Sequence, residues 1–186
     1  EVQYDLEKGK QLMAEAGCAD GFTTNIWTIT NNATNLAAAT ALQSELKKLN
    51  IEAELQVVDT SVITPMRVNE CPEGFIVLGA PISKDMTSTL VNNYSPYGNI
   101  QTHMIAFSDE YVAAVDAAVG ADTMDERIEA LKRACAILTS EEVLLYPAFY
   151  IPKYQYTQEY VHDTGANAVS AFQWTPELIW KDADKR

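Results

Sequence analysis

Residues 23–59 read TTNIWTITNNATNLAAATALQSELKKLNIEAELQVVD, and the hydrophobic period changes twice within them. Residues 23–30 are rich in β-branched and aromatic side chains and alternate around Ile26 and Trp27, as a half-buried strand does. Polar Asn31, Asn32 and Thr34 interrupt that pattern. From Leu36 to Leu49 the period becomes helical: Leu42, Leu46 and Leu49 share a side with Ala38 and Ala39, while Glu45, Lys47 and Lys48 face away. Asn50 is the expected helix stop. Residues 51–58 alternate again, with Ile51, Ala53, Leu55 and Val57 on one face. Strand, helix and strand form a βαβ unit, which places its two strands parallel in one sheet with a right-handed crossover.

The rest of the chain extends this α/β pattern. At 186 residues it is long enough for one well-buried domain, and residues 1–186 are expected to form a single one. Asp5 caps a helix running to about Ala16, with Gly17 as its left-handed stop. After the βαβ unit, Ser61 is expected to cap a short helix ending near Glu70, with Pro65 tolerated close to its start. Residues 75–79 (FIVLG) are a continuous apolar run that suits a strand buried on both faces. The following loop, Ala80 to Asp85, leaves the carboxyl end of that strand, where open α/β sheets place ligands. Asp85 caps a helix from Met86 to Tyr94. Ser108 caps the next, Asp109 to about Val119, and Thr123 or Asp125 opens a longer one to about Leu138 whose apolar face is Ile128, Leu131, Cys135 and Leu138. Residues 143–150 (VLLYPAFY) read as a strand restricted by Pro147 to an edge or a break. Residues 154–160 suggest another strand, and residues 181–186 a frayed end.

Charge and composition exclude several functions. A net charge of −13 argues against a nucleic-acid partner, because phosphate binding begins with a basic surface. No apolar run approaches the roughly 20 residues of a membrane helix. The opening Glu1-Val2-Gln3-Tyr4-Asp5 is no signal peptide, as is also true of a processed chain. Cys18, Cys71 and Cys135 have no CxxC spacing, so buried free thiols are expected rather than a disulfide framework or a zinc site. Nucleophile elbows, phosphate loops and dinucleotide fingerprints are missing from the sequence. His103 and His162 read as surface or structural histidines, and the pairs Asp109-Glu110 and Glu141-Glu142 as capping and solvation. No catalysis, metal or cofactor is expected. The crowd of Tyr146, Tyr150, Tyr154, Tyr156 and Tyr160 suits a sugar- or peptide-contacting cleft or an edge strand half covered by the domain, and packing is the favoured reading. Asn32-Ala33-Thr34 and Asn93-Tyr94-Ser95 match a glycosylation acceptor, a pattern too short to carry weight.

Several motifs occur together in a fixed order. The segment from Tyr4-Asp5-Leu6-Glu7 to Ala14-Glu15-Ala16-Gly17 is followed by Asp20-Gly21-Phe22, the βαβ unit with Leu46-Lys47-Lys48-Leu49-Asn50-Ile51, and Val57-Val58-Asp59. Further on come Phe107-Ser108-Asp109-Glu110-Tyr111-Val112, Asp125-Glu126-Arg127, and Glu141-Glu142 leading into Tyr146-Pro147. This ordered set, over roughly residues 4–155, resembles the C-terminal lobe of family 5 extracellular solute-binding proteins, the capture subunits of ABC importers for oligopeptides, dipeptides, nickel and related solutes.

The resemblance implies a lobe of the periplasmic-binding-protein type II fold, with a mixed, mostly parallel sheet and helices on both faces. Family members enclose a small-molecule or peptide ligand between two hinged lobes and present it to ABC permease subunits in the membrane. They act outside the cytoplasm, in the periplasm or lipid-anchored on the outer face of the cytoplasmic membrane. A missing N-terminal lobe is then implied, and a signalling or adhesion module on the same fold is the alternative. In peptide-binding members the strand matching residues 75–79 precedes a tryptophan and, three residues on, an aspartate that neutralises the peptide amino terminus. Ala80 and Ser83 stand at those positions. A serine does not offset an ammonium charge, so peptide capture would require Asp85 in its place. The loop holding Thr30, Asn31, Asn32 and Asn35 lies at a helix N-terminus and offers amides and backbone N–H groups to polar or anionic ligand groups. The same asparagines serve equally as caps.

Overall fold

The computed structural model describes residues 4–70, 72–79, 85–98, 104–150, 154, 156–164 and 176–183. The chain divides into two compact units, Glu1–Ala80 and Pro81–Arg186.

In the first unit the alternating segments form two parallel strands, as expected. β1 (Thr23–Ile29) pairs with β2 (Glu52–Val58) from Thr23 opposite Glu52 to Ile29 opposite Val58. β3 (Phe75–Ile76) pairs parallel with β1 on its other side, so the order is β2-β1-β3. β3 is shorter than the apolar run predicts, and Phe75 is 40% exposed, because β3 is an edge strand among the described residues. The run beyond it stays beside β1 nonetheless. The Val77 N–H donates to the Trp27 carbonyl at 2.9 Å, and the buried Thr28 hydroxyl donates to the Val77 carbonyl at 3.0 Å.

Three helices complete this unit. α1 (Leu6–Glu15) starts where the Asp5 carboxylate accepts the Lys8 N–H. It stops at Gly17, at φ +75°, with the Cys18 N–H reaching back to the Met13 carbonyl, as an αL stop requires. α2 (Ala33–Lys47) begins three residues before Leu36, the position the hydrophobic period indicates, because Asn32 is extended and caps it. Asn50 ends it in the left-handed region at φ 59°, and the Ile51 N–H bonds the Leu46 carbonyl. Ile26, Ala39, Leu46 and Ile51 form the core under α2. α3 (Thr60–Asn69) is capped by Asp59 and not, as expected, by Ser61. The Ser61 N–H donates to the Asp59 carboxylate at 2.8 Å, a stronger acceptor than a hydroxyl.

The second unit has a helical core. α4 (Met86–Asn93), α5 (Asp109–Gly120) and α6 (Met124–Ala136) start at the expected caps Asp85, Ser108 and Thr123. Thr123 and Glu126 complete a reciprocal capping box. Leu90, Tyr94, Tyr111, Val115, Ala134, Ile137 and Leu138 are buried together, and the Tyr111 hydroxyl donates to the Tyr94 carbonyl at 2.5 Å. Arg133 pairs with both Glu110 and Glu141. Those two carboxylates, one from each pair read as capping and solvation, therefore join α5, α6 and the turn after it.

The expected strand at residues 143–150 does not form. α6 runs into a π turn (Ile137–Glu141), Val143 takes φ +50°, and the Leu144 and Leu145 N–H groups turn back to the Leu138 carbonyl. The described part of residues 154–160 is likewise not a strand. Tyr146, Tyr150, Tyr154 and Tyr156 are 62–92% exposed, which overturns the packing reading of the tyrosine cluster. β4 (Val161–His162) pairs antiparallel with β5 (Trp180–Lys181), so the start of the segment expected to fray is a strand end. His162 is structural: its ring stacks on Trp180 at 4.1 Å and meets Asp182 at 3.2 Å. Cys18 and Cys135 are free and half-buried; Cys71 and His103 lie outside the described residues.

Candidate functional site

The carboxyl end of β1 and the start of α2 are joined by the loop singled out from sequence. The Thr30 N–H still donates to the Val58 carbonyl at 3.0 Å, so the chain leaves the sheet at Asn31. Asn32 is extended at φ −135°, ψ 98°, and its side-chain oxygen accepts the Asn35 N–H at 3.0 Å. The Leu36 N–H closes the first helical turn onto the Asn32 carbonyl at 3.1 Å. The N–H groups of Ala33 and Thr34, in the first turn, have no acceptor within the helix, as at the start of any α-helix. Thr30 and Asn31 are exposed, and Asn35 is only 5% exposed.

The four predicted residues of this loop therefore have unequal parts. Asn32 is committed to its cap. The side chain of Asn35 meets no hydrogen-bonding group among the described residues. Its Oδ1 lies 3.7 Å from the point where a Cβ on Gly79 would stand, which places the amide against the end of the run that follows β3. Gly79 is a site neighbour that sequence reasoning did not single out; its one signal was its position closing the apolar run 75–79.

Ala80 and Ser83 lie outside the described residues. Asp85 belongs to the second unit, where its carboxylate accepts the Thr87 and Ser88 N–H groups at 3.1 and 3.2 Å and bonds the Ser88 hydroxyl. The Ser88 hydroxyl, with those two N–H groups, holds its carboxyl below the usual carboxylate range.

An open groove at the other end of the first unit's strands is lined by Thr24, Gln43, Glu52, Glu54 and Glu73. It lies at the amino ends of β1 and β2, whereas open α/β sheets take ligands at the carboxyl ends. No group of three or more potential metal ligands is found among the described residues. No helix among them is long and apolar enough to cross a membrane.

The parallel sheet and its flanking helices are those of a lobe of the type II periplasmic-binding-protein fold, and solved structures share it. A nickel ABC transporter protein from Bacillus halodurans superposes with a TM-score of 0.61 at 17% identity, over 77% of this chain and 32% of that one. The ABC-transporter-associated periplasmic binding protein DppA from Helicobacter pylori, in complex with peptide STSA, matches with a TM-score of 0.56 at 25% identity, over 73% of this chain and 27% of that one. The family model described as bacterial extracellular solute-binding proteins, family 5 Middle, matches residues 1–101, more than half of the chain. The chain belongs to this family. The glutathione-binding protein GsiB of Salmonella choleraesuis is 34% identical over 56 residues, 30% of this chain and 11% of that protein. The chain thus spans about a third or less of the length of these relatives.

Proposed function

We propose that the chain is the C-terminal lobe of a solute-binding component of an ABC importer, and that it captures a peptide or another small solute together with an N-terminal lobe. The family match over residues 1–101 carries this reading. Binding would close the hinge and populate the state that the permease recognises. The protein works outside the cytoplasm, in the periplasm or lipid-anchored to the outer face of the cytoplasmic membrane.

In this reading Thr30, Asn31, Asn32 and Asn35 contact the solute from the start of α2. Ala80, Ser83 and Asp85 contribute from the segment that carries a tryptophan and an aspartate in peptide-binding members. Native mass spectrometry of the full-length protein, followed by denaturation, tests the proposal. A heterogeneous set of short peptides would support peptide capture despite Ser83, and a single non-peptide mass would support a change of specificity. A protein that is empty, and that binds neither a tripeptide library nor a metabolite library in solution, would overturn capture.

A further inference from the structure

We infer that residues 146–150, Tyr-Pro-Ala-Phe-Tyr, pair antiparallel with the same stretch of a second copy and make the chain a weak two-fold dimer. The inference goes beyond the capture reading and does not depend on it. Two observations carry it. The segment is open: every residue from 146 to 150 is exposed, with Tyr146 at 62%, Phe149 at 58% and Tyr150 at 80%, and none of its backbone groups is hydrogen-bonded among the described residues. Exposed aromatics on a backbone with unpaired N–H and C=O groups are a template that another strand completes. The stretch is also self-complementary about Ala148, so the partner that its own symmetry specifies is a second copy.

In an antiparallel pair centred on Ala148, Tyr146 of each copy faces Tyr150 of the other, and Pro147 faces Phe149. Opposed positions alternate between hydrogen-bonded and non-hydrogen-bonded pairs. With Ala148 in a hydrogen-bonded pair, positions 146 and 150 are hydrogen-bonded too, and the tyrosines meet across the ladder on one face. Position 147 then turns its backbone outward, where the missing N–H of proline takes nothing from the ladder. The other phase would ask Pro147 for an N–H it lacks. The outer edge is left short of a donor, which discourages a third strand, so pairing closes at two copies instead of growing into a fibre. Residues 143–150 carry no charge, and the net charge of −13 therefore opposes the pairing only at long range. The three aromatics offer on the order of 400 Å² per copy, which is small for a protein interface and makes the dimer weak.

The test is sedimentation velocity on the 186-residue chain from about 5 to about 500 μM, in low and in high sodium chloride. The expected result is a shift from the monomer to twice its mass and no further, with a midpoint that falls at least about threefold in high salt as the like charges are screened. Ala148→Pro removes the N–H donors at the two-fold axis, and Tyr150→Lys sets a charge against Tyr146; each should raise the midpoint at least about tenfold. Both positions are exposed and lie outside the buried core, so the Tyr111 and Val115 amide resonances should keep their wild-type shifts and show that the variants fold. Ala148→Cys should form a disulfide between copies on oxidation, located by peptide mapping, since residues opposed in a hydrogen-bonded pair lie about 5.5 Å apart at Cα. Tyr150→Cys should not, because the two copies of that position stand out of register, about 14 Å apart. A monomer at every concentration, growth beyond two copies, a dimer indifferent to Ala148→Pro and Tyr150→Lys, or equal cross-linking at 148 and 150 would each overturn the assignment.

Discussion

Asn32 separates the two parts assigned to the loop before α2, and two substitutions distinguish them. Its side-chain oxygen accepts the Asn35 N–H at 3.0 Å from an extended backbone, the geometry of an N-cap. Asn32→Ala removes that acceptor and should destabilise the first unit by about 1 kcal/mol, within the roughly 0.5–2 kcal/mol range of cap deletions. For a unit of this size that corresponds to about 4–8 °C in Tm. Asn32→Asp keeps the acceptor and adds a charge that the helix dipole favours by about 0.3–1 kcal/mol, so stability should be unchanged or higher. On the proposed capture reading, the same charge stands beside the Ala33 and Thr34 N–H groups and should weaken capture of a solute through an anionic group. Hydrogen exchange of the buried Ile26 and Ala39 amides under native conditions measures the first unit by itself. If Asn32→Ala leaves that exchange unchanged while Asn32→Asp accelerates it, the side chain is not the cap.

Gly21 and Gly17 should differ as sites for alanine, because both have positive φ but a Cβ on Gly21 would fall 1.8 Å from the Asn50 carbonyl oxygen while Gly17 has open space. Urea midpoints should show a loss of about 1 kcal/mol for Gly17→Ala and upwards of about 2 kcal/mol for Gly21→Ala. Tyr111→Phe removes the buried donor to the Tyr94 carbonyl and should cost the second unit about 1–2 kcal/mol by thermal unfolding. The depressed folded-state pKa of Asp85 contributes stability that is present above its unfolded pKa and lost as pH falls through the lower, folded value. Asp85→Asn keeps a good cap and should flatten that part of the stability profile in acid urea titrations.

What was legible in the sequence is what local physics encodes. The period-2 alternation around Ile26 and Leu55 put β1 and β2 in place, and Asp5, Asp85, Ser108 and Thr123 were readable as caps because each precedes its own helix. Within Asp59-Thr60-Ser61 all three residues are of capping type, and only the helix boundary decides which one accepts. The strand expected at residues 143–150 failed for a reason sequence patterning does not carry: the π turn after α6 brings the Leu144 and Leu145 N–H groups back onto the Leu138 carbonyl. Arg133 was silent for a related reason. Its partners Glu110 and Glu141 lie 23 and 8 residues away, and only the packing of α5 on α6 brings both to it. At the candidate site the loop was visible as a polar interruption, but the approach of Asn35 to Gly79, distant in sequence, is made only by the fold.

Charge compensation ties these observations to the ligand. Asp85 retains its negative charge, but its oxygens are taken up by Thr87 and Ser88, and an ammonium group would have to compete with three donors for them. With serine at position 83, no other acid lies between residues 80 and 85. The start of α2, by contrast, offers donors and carries no acid in its first turn. On the proposed capture reading, the start of α2 suits an anionic group of the solute better than the Asp85 carboxylate suits a cationic one. The net charge of −13 repels such a solute at long range and slows its encounter. Added salt should then speed association through screening, while short-range contacts at the start of α2 keep dissociation nearly independent of salt.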